Sequence, residues 1–274
     1  MRPPHPPVEI RNGLVYKHRE SRVLEMEALK TRLAAAIGEK SGLFSVPRLV
    51  SLDLTNGTMV TEFIPHLKNL HEIALEKTEG CHDIFESAGR ALATVHRELH
   101  LPSDKLIPLP DYLMSTTGDN VVSHADFFWG NVCCLPEERR IVLLDWATAP
   151  SLGGIASYGS RYFDLLWFSW SLCFWTPRRQ VFHWRPEALI TAFIRGYAQA
   201  EPRFRWSRYV EYRASILSLR LKSWSELCTP SPLWLWPFDT LLHALGCLRW
   251  LRYPARRIVL AETLALASAH VIDA

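Results

Sequence analysis

Two aspartates and an asparagine carry most of the chemistry legible in this chain of 274 residues. His124-Ala125-Asp126 opens a segment that closes on Asn131, and Asp145 follows at the end of Ile141-Val142-Leu143-Leu144. Asp126 and Asn131 lie five residues apart between two strand-like runs, a spacing that lets a tight turn bring both side chains to one side. Asp145, nineteen residues after Asp126, ends a run that would carry a buried strand to the same cleft. Phosphoryl transfer needs a positioned hydroxyl, magnesium against phosphate charge, and a carboxylate near the attacking oxygen. The pattern therefore assigns Asp126 as the catalytic base or hydroxyl-orienting carboxylate, with Asn131 and Asp145 as Mg2+ ligands through hard oxygens. His124 is assigned to holding the loop backbone.

These residues need elements to place them. Val8–Arg11 and Leu14–His18 flank Asn12-Gly13, a dipeptide suited to a type I′ turn, and predict a β-hairpin with Lys17 on its second strand. Helical spacing runs from Ser21 to Ile37, with Leu29 and Leu33 on the side of Glu25 and Gly38 as a stop. Val46–Val50 and Thr58–Ile64, around Asn56-Gly57, predict a second hairpin that Pro65 ends. Beyond it, Ile84–Leu99 reads as an amphipathic helix with Phe85, Ala88, Leu92 and Val95 or His96 along one stripe. Strand signals at Asn120–Ser123, Val132–Leu135 and Arg140–Leu144 flank the loop, and helices rich in aromatics run from Tyr162 onward. The expected organisation is α+β in two lobes: residues 1–65 a small, truncated, β-rich N-lobe that binds nucleotide, and residues 66–274 a larger, mainly helical C-lobe with the catalytic loop and acceptor site.

Composition restricts the alternatives. Thirty-one basic against 28 acidic residues leave a net charge of +3, without the concentrated positive charge of a nucleic-acid surface. Six cysteines show neither a CxxC pair nor zinc spacing and read as reduced thiols of a cytoplasmic protein. Residues 1–7, rich in proline, lack the apolar run of a signal peptide. The uncharged stretch Leu165–Pro177 is too short for a membrane span of about 20 residues. Trp234, Trp236 and Trp250, among arginines 249, 252, 256 and 257, keep a membrane-surface contact open beside substrate cleft and ordinary packing.

The loop matches the protein-kinase pattern H-R-D-x-x-x-x-N at His124, Asp126 and Asn131. With Leu144-Asp145-Trp146, Val15-Tyr16-Lys17, the Glu25–Leu29 helix, Thr61–Pro65, Gly89–His96 and Tyr162–Leu165 in order, the chain resembles the aminoglycoside phosphotransferase and choline kinase superfamily. The resemblance spans residues 14–170 and implies a protein-kinase-like fold and transfer of the γ-phosphoryl group of ATP, with Mg2+, to a hydroxyl of a small molecule. It further implies that Lys17 holds the α- and β-phosphates and that Glu25, with Glu27 as the alternative, orients Lys17. Glu62, Phe63 and Ile64 become a hinge pairing with adenine, and Asp164 braces the catalytic loop.

Two departures are visible. Only sixteen residues, with the single glycine Gly13, precede Lys17, where kinase-like proteins fold a glycine-rich turn over the phosphates; Ala125 stands where the loop commonly has glycine. A pseudokinase-like nucleotide-binding protein, weak or inactive in turnover, is therefore the alternative expectation. Arg178, Arg179 and the C-terminal arginines point to a neutral or anionic acceptor. Read singly, Lys17 also suits a solvated strand lysine, Asp164 a helix N-terminal residue, and His96 a packed histidine. A monomer and a homodimer both remain compatible.

Overall fold

A computed structural model describes residues 8–116, 118–174, 184–209, 245, 246 and 248. Strands β1 (Val8–Arg11) and β2 (Leu14–His18) form the expected hairpin, with Asn12 and Gly13 both at positive φ as a type I′ turn requires. Helix α1 (Ser21–Ser41) runs past the expected stop. Gly38 lies inside the helix, where a Cβ would meet the Phe44 carbonyl oxygen at 2.6 Å, and Gly42, left-handed at φ 68°, caps it instead. The helix buries Leu24, Glu27, Ala28, Thr31 and Ala34, a spacing of three and four that defines one face.

Strands β3 (Phe44–Ser45), β4 (Leu49–Asp53) and β5 (Thr58–Glu62) follow. The β4–β5 turn is longer than the two-residue form: Asn56 is not left-handed, and Asp53 Oδ1 accepts from the Asn56 amide at 3.0 Å. One sheet has the order β1-β2-β5-β4. Then come β6 (Lys68–Asn69), α2 (Leu70–Leu75) and α3 (Cys81–Glu98), with β7 (Asn120–Val122), β8 (Val132–Leu135) and β9 (Arg140–Leu143) after a loop. The second sheet, β3-β9-β8-β6, joins strands from both sides of residue 65; β7 pairs with β10 (Tyr158–Ser160).

Helices α4 (Tyr162–Phe174) and α5 (Glu187–Ala200) complete the described elements. Helices α3 and α5 meet through reciprocal glycines: a Cβ on Gly89 would lie 2.0 Å from the Phe193 carbonyl oxygen, and one on Gly196 equally close to that of Glu86. Phe85, Phe127, Phe168 and Phe193 fill the core beneath this crossing. The result is a β-sheet N-terminal region set on a mainly helical C-terminal region, as expected.

Candidate active site

The loop between β7 and β8 is held from behind by a single carboxylate. Asp164, in the first turn of α4, accepts the Ser123 hydroxyl and the His124 amide on Oδ2, both at 2.8 Å, and the Ala125 amide on Oδ1 at 2.9 Å. Burial alone would raise its pKa, but the bonds and charges of His96 and its neighbours hold it below the usual carboxylate value. Since an ionised carboxylate can only accept, His96 Nε2 donates to Oδ2 at 3.0 Å, and Nδ1 takes the Tyr197 hydroxyl at 2.8 Å. His96 is thus more than a packed histidine. His124 is buried and neutral, its pKa lowered to about 4 by burial and then by Lys30, and its Nε2–H donates to the Leu144 carbonyl at 3.1 Å. Ala125 adopts φ 65°, a left-handed backbone that costs a non-glycine residue roughly 1–2 kcal/mol.

Asp126 projects from this braced loop. Trp167 Nε1 donates to Oδ1 and Asn131 Nδ2 to Oδ2, each at 3.2 Å; Asn131 Nδ2 also reaches the Asp126 carbonyl at 3.0 Å. Burial, then the charge of Asp145, pushes the Asp126 carboxyl up to about 8. Trp167, on α4, therefore caps the carboxylate. With its Nδ2 so engaged, the Asn131 side chain has its oxygen left to offer. The Leu144 amide donates to the Asn131 carbonyl at 2.9 Å and ties Asn131 to the strand that delivers Asp145.

Asp145 lies at φ 48°, with Lys17 Nζ 2.9 Å from Oδ1 and Arg19 3.5 Å from Oδ2. Burial would raise its pKa, yet the two cations more than offset this and keep the carboxyl well below its ordinary range. An anionic oxygen and an amide oxygen in one cleft suit a hard divalent cation. Mg2+ is usually held by one or two carboxylates plus substrate phosphates, so the pair is sufficient in kind. Among the described residues no group of three or more His, Cys, Asp or Glu is arranged to hold a metal unaided.

Lys17 is also bonded to a second carboxylate, Glu27 on α1. The expectation that Glu25 orients Lys17 is corrected here: Glu25 instead pairs with Lys105 at 2.7 Å on the surface. Residues two apart are turned by about 200° on a helix, so only one of them can face the cleft. Above Lys17 opens a cleft of about 530 Å3, roofed by Val8, Ile10 and Val15 and floored by Leu144 and Trp146. Glu62, Phe63 and Ile64 line its edge. The Glu62 amide donates to Arg48 and the Phe63 amide to Gly13, at 3.0 and 2.9 Å. Of the amides of Glu62, Phe63 and Ile64, that of Ile64 alone has no hydrogen-bond partner among the described residues.

No family model and no curated protein matches the sequence. Solved structures do match. A choline/ethanolamine kinase family protein from Mesorhizobium loti is 17% identical, with 93% of this chain and 87% of that one covered at a TM-score of 0.54. Choline kinase LicA from Streptococcus pneumoniae (13% identical, 89% and 88% covered) and a glucosamine kinase (14%, 86% and 77%) each give 0.51. The fold is protein-kinase-like.

Within this kinase-like fold, two charged residues near the site went unread in the sequence. Arg19 follows the Lys17 strand directly, and Lys30 lies one helical turn beyond Glu27 on the buried face of α1. The signal for Lys30 is its place on the Leu24-Ala28-Ala34 stripe. Residues Trp175, Arg178, Arg179, Cys228, Trp234, Trp236, Cys247, Arg249, Trp250, Arg252, Arg256 and Arg257 lie outside the described residues, and with them the helices expected beyond Tyr209. No helix among the described residues is long and apolar enough to cross a membrane.

Proposed function

We propose that this chain is a small-molecule kinase that uses MgATP to phosphorylate a hydroxyl group. The observation that carries the proposal is the unbroken chain of contacts from Glu27 through Lys17 to Asp145, and from the neighbouring Asn131 to Asp126, at the polar end of a cleft with apolar walls. Val8, Ile10 and Val15 share one face of the hairpin, because Val8 opposes Lys17 and Ile10 opposes Val15 in register. That face suits a planar base, with Ile64 offering a free amide at the hinge. Lys17, kept charged by its two carboxylates against the effect of burial, is suited to the α- and β-phosphates. Residues 1–65 would thus carry the nucleotide and the remainder the acceptor.

A bound Mg2+, held by Asn131 and Asp145, would neutralise phosphate charge. Asp126 would accept a hydrogen bond from the acceptor hydroxyl and take its proton as the oxygen bonds to the γ-phosphorus and the bond to ADP breaks. Trp167 and Asn131 fix the direction of that carboxylate, and Asp164 fixes the backbone beneath it. The fold neighbours named above are choline and glucosamine kinases. Their small alcohol substrates support the acceptor class.

The alternative, a nucleotide-binding protein without turnover, draws on one observation: Lys17 is bonded to Asp145, so the phosphate-binding lysine and a candidate metal ligand occupy each other. Purified protein with MgATP and a library of small alcohols, beside Asp126→Ala, separates the two. Phosphorylated product from wild type alone supports the kinase. Thermal stabilisation by ATP without product from any alcohol overturns it.

A further inference from the structure

Lys30 is fully buried, yet none of the roles assigned above uses it. Its Nζ donates to the His124 carbonyl at 2.8 Å, a contact that crosses from α1 to the catalytic loop. The charged groups around it come from every element that converges there: Glu27 from α1, Asp126 from the loop, Asp145 after β9, and Asp164 from α4. Asp164 grips the amides of His124 and Ala125 on one side of this peptide chain; Lys30 grips the carbonyl between them on the other. The clamped peptide leads directly into Ala125, whose left-handed φ of 65° sets the direction in which Asp126 leaves the loop.

We infer that Lys30 is a positioning residue, the second jaw of a clamp that holds the His124–Ala125 peptide in the strained orientation from which Asp126 can meet an acceptor hydroxyl. A strained backbone persists only where surrounding groups over-determine it. The peptide is planar, so the Ala125 N–H held by Asp164 and the His124 carbonyl held by Lys30 are opposite edges of one rigid unit, and the two bonds together oppose its rotation. The buried position agrees: a lysine without charge to place would be expensive there, and burial already lowers its pKa to about 8 despite four neighbouring carboxylates. The contact also ties α1 to the loop, since Glu27 and Lys30 lie one turn apart and reach Lys17 and the His124 carbonyl respectively.

The inference rests on the kinase reading of the cleft, and its test separates the two. Lys30→Met replaces the ammonium by a neutral chain of similar length. The expected result is a melting temperature equal to or above wild type, at least fivefold faster amide exchange in a peptide covering residues 123–127, and at least tenfold lower kcat for MgATP hydrolysis with KM for ATP within threefold. A merely structural lysine would lower the melting temperature and leave kcat of the folded fraction alone. Unchanged exchange and kcat overturn the clamp. Should Lys30→Met not fold, Lys30→Gln, neutral and shorter, is read in the same way. Wild-type protein that hydrolyses no MgATP and phosphorylates no alcohol overturns the kinase reading, and the exchange measurement then decides the clamp by itself.

Discussion

The catalytic loop and the β1–β2 hairpin serve the same cleft and are held in opposite ways. The loop is buried, braced by Asp164 and Lys30 at the backbone and by Trp167 and Asn131 at the reacting carboxylate. In the hairpin, β1 leaves Val8 and Ile10 55% and 60% exposed and pairs, among the described residues, with β2 alone, while β2 is anchored by its ladder to β5 and by Lys17 to Glu27 and Asp145. Buried, multiply bonded backbone opens only at a cost near that of unfolding, whereas an exposed edge strand such as β1 opens cheaply. On the proposed reading the chemistry would sit on the rigid side and the nucleotide beneath the strand that opens more easily.

That contrast can be broken by mutation, and the largest effect belongs to the loop. Asp126→Ala is expected to lower kcat for acceptor phosphorylation by about 1,000-fold, within the range for loss of a general base, while the protein keeps its circular dichroism spectrum. Retained turnover would remove Asp126 from the chemistry. Next, Lys17→Met should cost about 100-fold in kcat/KM for ATP, a loss of roughly 2.7 kcal/mol of transition-state stabilisation. Smaller and more discriminating is the pair Glu27→Gln and Glu25→Gln. The first is expected to reduce kcat/KM by about tenfold and the second by less than twofold; equal effects would undo the assignment of Glu27 to Lys17.

The pH dependence sharpens the comparison further. With Asp126 pushed up to about 8, the deprotonated form that can act as base is depleted below that value, so kcat/KM should fall on the acid side of pH 8. Stability should move in the other direction. A carboxyl whose folded pKa is raised binds more protons folded than unfolded, so its contribution to stability is lost as pH rises from about 4 to 8. Asp126→Asn should therefore melt higher than wild type at pH 8, by a margin that narrows at pH 5. The smallest effect is expected on the hairpin: Ile10→Ser, on the exposed roof, should change stability by no more than ~0.5 kcal/mol in urea unfolding, yet raise KM for ATP about threefold.

Much of this was legible in the sequence because short-range signals decided it. Asn12-Gly13 fixed the first hairpin to the residue, and the aliphatic run before Asp145 delivered that carboxylate beside Asn131. The misreading of Glu25 has a specific origin. Helix α1 offers two stripes, one with Leu29 and Leu33 and one lined mostly by alanines, and the bulkier stripe looked like the core face. The structure buries the other, since Ala28, Ala34 and Gly38 let the helix approach closely enough for Glu27 and Lys30 to reach their partners. Lys30 and the His96–Asp164 bond were invisible for a different reason: they join residues 94 and 68 positions apart, and no local pattern announces such pairs.

The His96 contact has a consequence for how the molecule comes into being. Asp164 is oriented by His96, and His96 in turn by Tyr197 on α5. In chain order, Lys17, Glu27 and Asp145 all come before α5. The catalytic loop, by contrast, receives its last brace only when Tyr197 arrives. On the proposed reading, the groups that would hold nucleotide all precede α5 in the chain, and the brace behind Asp126 is complete only once α5 has been made.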